Sequence, residues 1–365
     1  MFELDPWQRR QAAMLYHFSS LEYLKGLHRA ISRLIDGIID PALHLAAEQG
    51  RDSVLVDERW GNRNTSDNWA TIAWPLLKDL QASIAQDIGF RAFEDFRITS
   101  LSSTLRGIDE FSMAWATEEE EDAYLQTTAA ISRYADPIDR TLDREPTAGW
   151  NDFELAEAFL DFVPQFPRIP SFRVKTDIVV ETGKIPYRTG VYVSADDPNA
   201  SLQFAWAGTT GCPLRPATTL SEIGLHALKV VGRSKLWWDE LQMLAFASRP
   251  EYMEMFEDFI LFDGEPDPEL AAGAISEEAF AIKPSRWHLV EMISEDGEDT
   301  QMQDPSIEPL AAGPRLAAGE TCKQPGYYFS PAHPDSHRHL NVGDIAPELN
   351  SRYGDTFWQW DPNQK

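Results

Sequence analysis

The chain has 365 residues, with 59 Asp and Glu against 32 Lys and Arg, and a formal charge of −27. A surface this negative repels phosphate backbones and anionic lipid, which argues against nucleic acid and membrane surfaces as partners. Hydrophobic residues make up 43% and aromatics 11%, enough to bury a sizeable core, so the chain is not an acidic disordered polymer. Two cysteines, Cys212 and Cys322, are too few for a disulfide framework and fit a reducing compartment. The first residues hold acids and Arg9-Arg10 without an apolar run, so no signal peptide is predicted, and the expected location is the cytoplasm.

From Leu21 the apolar residues Leu24, Leu27, Ile31, Leu34, Ile35 and Ile38 recur every three to four positions. This predicts one face of a helix that Pro41 ends or kinks. Trp69, Ile72, Ala73, Leu76, Leu77, Leu80, Ile84 and Ile88 repeat the period and predict a second helix stopping at Gly89. Thr117 and Glu120 fit a capping box. The helix they open carries Ala123, Leu125, Ala130, Ile131 and Tyr134 to a stop near Pro137. A short helix over 153–163 precedes Pro164, Pro167 and Pro170.

Beyond Pro170 the apolar period falls from about 3.6 to about 2. Phe172, Val174, Thr176, Ile178 and Val180 alternate as a strand does. Two more strands, 191–193 and 202–206, flank Asp196-Asp197-Pro198-Asn199, a turn of hairpin length. Thr219 and Glu222 fit another capping box, and helices are expected to continue over 234–247 and 250–262. A strand is predicted over 287–293, long loops between Gly264 and Gly319, and short strands at 327–329 and 357–360. The predicted class is α+β: a helical amino-terminal half, 1–165, packed with a mixed α/β carboxy-terminal half, 166–365, containing short antiparallel strands. The second half holds an acidic, loop-rich segment over 251–308 and an aromatic tail over 322–361.

Familiar catalytic signatures are missing from the sequence: no GxSxG, GxxxxGK[ST], GxGxxG after a strand, HExxH or CxxC. His333, Asp335, His337 and His339, with Cys322 upstream, have zinc-ligand chemistry, but their spacing matches no known finger and Arg338 sits among them. A solvated polar loop is the plainer reading of that cluster. Cys212 reads as a buried structural thiol. Trp7, Trp69, Trp74, Trp237 and Trp287 read as core, and Trp358 and Trp360, alternating with Phe357 and Gln359, share one strand face.

Negative charge is concentrated. Residues 251–308 hold 17 acids against Lys283 and Arg286, a net of −15 of the total −27. Its sub-runs are Asp263, Glu265, Asp267 and Glu269, then Glu295, Asp296, Glu298 and Asp299. The spacing from Asp263 does not fit an EF-hand. The segment reads either as a solubility device or as an acidic docking surface for a basic protein. On the second reading Asp263, Glu265, Asp267, Glu295, Asp296, Glu298 and Asp299 are the candidate partner-binding residues.

The tail runs Cys322-Lys323-Gln324-Pro325-Gly326-Tyr327-Tyr328-Phe329-Ser330-Pro331-Ala332, then Asp335-Ser336-His337-Arg338, Gly343-Asp344-Ile345-Ala346-Pro347 and Tyr353-Gly354-Asp355-Thr356-Phe357-Trp358-Gln359-Trp360. Over about 40 of 365 residues it resembles the end of the large, tryptophan-rich immunity proteins of bacterial polymorphic-toxin systems, immunity-protein families seventy-one and seventy-two. The resemblance implies a non-catalytic cytoplasmic inhibitor without a cofactor, which binds a cognate toxin domain delivered by a contact-dependent or type VI secretion apparatus in interbacterial competition. Such relatives carry Arg at the loop where this chain has His337-Arg338-His339, which speaks against a zinc shell there. Two rival readings are a metal-dependent enzyme that reverses a toxin's modification and an adaptor subunit of the secretion machinery.

Overall fold

The computed structural model describes residues 3–145, 148–162, 168–208, 210–262, 264–299, 315–330, 333–347 and 357–360. The chain divides into two compact units, Met1–Thr300 and Gln301–Lys365. The fold is α+β, with helices concentrated toward the amino terminus and antiparallel sheets in the carboxy-terminal half. No helix of the described residues is long and apolar enough to cross a membrane.

The helices are α1 (Pro6–Phe18), α2 (Leu21–Leu34), α3 (Asp40–Glu48), α4 (Ser66–Arg91), α5 (Leu101–Ile108), α6 (Glu118–Leu142) and α7 (Asp152–Phe162). Asp5 begins α1 with a capping box to Gln8, and Ser20 caps α2 by accepting from Tyr23 N–H. Pro41 does not end the helical path. A five-residue π turn, Ile35–Ile39, lets Asp40 N–H donate to Ile35 O, which places Pro41 in the first turn of α3 where its missing N–H is tolerated. Thr117 and Glu120 form the expected capping box, but Pro137 lies inside α6, which runs on to Leu142. Burial of Ile131, Ala135, Ile138 and Leu142 holds the helix through that proline. Likewise α4 continues past Gly89 to Arg91, whose guanidinium donates to Ser19 O at 2.6 Å.

The strands are β1 (Arg168–Glu181), β2 (Gly190–Ser194), β3 (Gln203–Ala205) and β4 (Ala217–Leu220). Then come α8 (Glu222–Val231), α9 (Glu240–Ala247), α10 (Met253–Phe256), β5 (Leu261–Phe262), β6 (Glu265–Pro266), α11 (Pro268–Glu278), β7 (Phe280–Lys283) and β8 (Arg286–Asp299). The main sheet has the order β1-β8-β2-β3, all antiparallel. The predicted β2–β3 hairpin is present, pairing Val191 with Phe204. Every residue of β2 is buried: Val191 and Val193 face the helices, and Tyr192 joins a second cluster with Trp287, Leu289 and Ala217. Tyr16 pins α1 to the sheet by donating to Val290 O at 2.5 Å. Gly190 makes the close approach possible, since a Cβ there would lie 2.9 Å from both Leu289 and the Tyr16 hydroxyl.

One hydrophobic cluster runs from Leu4 through the helices to Val290. The change of period near 165 therefore marks a change of secondary structure inside the first unit, and the expected division at 165 is not where the chain separates. Other expectations shift locally. Thr219 belongs to β4 and donates to Asp197, so the cap of α8 is Ser221. Helix over 234–247 begins only at Glu240, and the expected helix over 250–262 is a single turn followed by a 3₁₀ turn and β5. The stretch from Gly264 expected as loops contains α11, β7 and β8.

The second unit has β9 (Arg315–Ala317), β10 (Gly326–Ser330), β11 (His333–Leu340) and β12 (Phe357–Trp360), in sheet order β11-β10-β12-β9. Leu316, Cys322, Tyr328, Leu340, Ala346 and Trp358 make its core. Trp358 Nε1 donates to Pro347 O at 2.7 Å and the Tyr328 hydroxyl to Gln324 O at 2.7 Å. Residues singled out for the tail resemblance thus pack this small sheet.

Candidate partner-binding surface

Several carboxylates of the helical region are engaged from within, although others, such as Glu118, Glu119, Glu121 and Asp122, are exposed. Asp152, with its side chain 2% exposed, accepts from Trp7 Nε1 at 2.6 Å, Gln11 Nε2 at 3.2 Å, Trp237 Nε1 at 2.8 Å and both terminal nitrogens of Arg233 at 2.6 and 2.5 Å. Trp237 reaches it from a left-handed backbone, φ 74°, a conformation bulky residues adopt only when surroundings impose it. Asp139 accepts from the Thr99 N–H and hydroxyl at 2.5 and 2.8 Å, and burial pushes its carboxyl above the usual range. Glu120 completes its capping box and pairs with Arg51 at 2.5 Å. A groove of about 440 Å³ between α6 and α7 is lined by further acids. There Arg140 bridges Asp136 and Glu154 at 2.8 and 2.6 Å.

Residues 251–270 are different. They carry eight acids and no Lys or Arg. Phe256 and Ile260 are buried and fasten the segment to the core, and Tyr252 packs on Phe246 with its hydroxyl 2.8 Å from His226 Nδ1. Asp267 N–H donates to Ile260 O at 2.7 Å, closing the β5–β6 hairpin onto the start of α11. Much of the rest faces solvent. Glu251, Glu254, Glu257, Asp258, Glu265 and Glu269 are exposed. Apart from Glu251, 3.8 Å from Arg249, none of these acids has an ion pair among the described residues.

The predicted partner-binding acids fall on two elements. Glu265 is exposed in the hairpin, while Asp267 is half-buried and caps α11 by accepting from Glu269 N–H at 2.9 Å, a structural duty the sequence reading did not assign. Asp263 lies outside the described residues. Glu295, Asp296, Glu298 and Asp299 lie at the far end of β8, where Ile169 pairs with Glu298 and Arg168 with Asp299. The two runs are thus held by different neighbours. Of the two bases in 251–308, Arg286 is committed to Asp196 at 2.5 Å, and its hydrogen bond holds the Asp196 carboxyl below the usual range.

Sequence reasoning missed the apolar half of the surface. Phe259 is 66% and Phe262 64% exposed, with Met253 and Met255 also at the surface. The helix expected over 250–262 stops after one turn, and the apolar residues of that segment divide between core and solvent.

Of the candidate metal ligands, Cys322 and His339 are not brought together. His333–Leu340 is a strand rather than a loop. Cys322 is buried, donating to Gln324 O at 3.0 Å, in the same core as Leu340, whereas the adjacent His339 is exposed and meets the ring of Tyr327. Alternation along a strand sets Leu340 and His339 on opposite faces, so Cys322 and His339 are on opposite sides of the sheet. Among the described residues no three His, Cys, Asp or Glu side chains group as a metal site would need. Cys212 is buried, and burial pushes its thiol up, as expected of a structural cysteine.

Comparison with known protein families, with curated proteins and with solved structures finds no match to this chain.

Proposed function

We propose that this protein is an immunity protein that binds and neutralises a cognate secreted toxin domain in the cytoplasm of the producing cell, by occupying the toxin's active site or its substrate path, without catalysis of its own. The observation that carries the reading is a set of carboxylates in a segment without Lys or Arg, 251–270: Glu254, Glu257, Asp258, Glu265 and Glu269 are exposed and have no ion pair among the described residues. Carboxylates kept in water without partners raise the encounter rate with a positively charged protein and repel phosphate. A toxin domain that acts on nucleic acid or nucleotides needs a basic cleft, the complement of this surface. The resemblance of the tail to immunity proteins supports the same reading.

The test is co-expression with the toxin domain encoded by the adjacent upstream gene, scored by growth and by co-purification. Growth rescue with a stable complex is the expected result. Rescue with no complex at any salt concentration would refute inhibition by binding and favour an enzyme that reverses the toxin's effect.

A further inference from the structure

We propose that the face formed by α10, the following 3₁₀ turn and the β5–β6 hairpin takes an amphipathic helix of the partner, one with an apolar stripe flanked by Lys and Arg. This deepens the preceding reading and rests on it for the partner's identity. Charge alone would favour any cation. The exposed Phe259, Phe262, Met253 and Met255 ask for something more, because large apolar side chains left in water among carboxylates lose that exposure only against an apolar counterpart.

Three observations set the shape of the counterpart. Met255 and Phe259 each precede a buried residue, Phe256 and Ile260, and Ile260 N–H donates to Phe256 O at 3.2 Å, so the two exposed side chains share one flank. The ladder of β5 with β6 is two residues long and ends in Pro266, too short to template an added strand. Recognition therefore falls on side chains, and a helix presenting residues at three- and four-residue spacing is the element that fills gaps between Phe and Met projections. Methionine adapts its shape to such a stripe at low cost. The acids around it, Glu254, Glu257, Asp258 and Glu265, then select for Lys and Arg on the stripe's borders. They also disfavour a second copy of this chain, since two such faces would bring these four acids against four.

The experiment uses the full-length protein and two synthetic peptides of about 18 residues, both of Leu and Lys. In one the leucines form a single helical stripe; in the other the same composition is scrambled. The striped peptide is expected to bind at least tenfold more tightly, and Phe259→Ala with Phe262→Ala to weaken it about tenfold, with thermal unfolding of the protein unchanged. Glu254→Gln with Glu257→Gln should slow association and flatten its salt dependence. Equal binding of both peptides, or an unchanged affinity after the two Phe substitutions, overturns the proposal. So does sedimentation as a dimer that those substitutions dissolve. The same Phe variants in the toxin co-expression assay separate the two claims: neutralisation that survives them while wild-type complex forms leaves the immunity reading standing and removes this face from it.

Discussion

Two sets of carboxylates in one chain carry the same charge and do different things. Those of the helical region, Asp152, Asp139 and Glu120, sit beside indole, amide, hydroxyl and guanidinium donors and fasten elements distant in sequence. In 251–270, Glu254, Glu257, Asp258, Glu265 and Glu269 face water and have no ion pair among the described residues. The difference teaches that an acid's contribution is decided by the donors around it: a buried, fully hydrogen-bonded carboxylate is a structural joint, whereas an unpaired exposed one slightly opposes folding through repulsion and matters at encounter.

The largest expected effect breaks the joint. Asp152→Ala strands two indole N–H groups, an amide and a guanidinium, and should cost about 3–5 kcal/mol in chemical denaturation. A loss under about 1 kcal/mol would dissolve the contrast. Next comes Asp139. Its carboxyl is pushed up by burial, so the folded state binds the proton more tightly than the unfolded chain, and stability falls as pH rises from about 4 through the folded value. Asp139→Asn keeps the Thr99 contact without ionising. The drop in unfolding free energy between about pH 4 and pH 7 should therefore be smaller in the variant than in wild type. Thr117→Ala removes the side-chain cap of α6 and should cost about 1 kcal/mol. Smallest is the combined neutralisation of Glu254, Glu257, Asp258 and Glu265: unfolding free energy should stay within about 0.5 kcal/mol of wild type, while association with a basic partner slows.

Much of the first unit was legible. The period in 21–38 and 69–88, the Thr117–Glu120 capping box and the alternation from Phe172 to Val180 all correspond to observed elements, because each rests on neighbours three, four or two positions apart. Prolines misled wherever packing outweighed them, at Pro41 and Pro137. For the candidate surface, the acids were visible in the sequence, and the exposed Phe259 and Phe262 were not. Apolar residues at helical spacing look the same whether they face a core or water.

By itself the sequence determined the class of secondary structure, the sign of the charge and its concentration in 251–308, since these depend on composition and local spacing. Only the tertiary structure decided which carboxylates have donors. Trp7, Gln11, Arg233 and Trp237 reach Asp152 from positions 81 to 145 residues away, and β8 enters between β1 and β2 from more than 90 residues down the chain. No local pattern encodes such pairings. They follow from which surfaces bury against each other, and that burial left Glu254, Glu257, Asp258, Glu265 and Glu269 facing water.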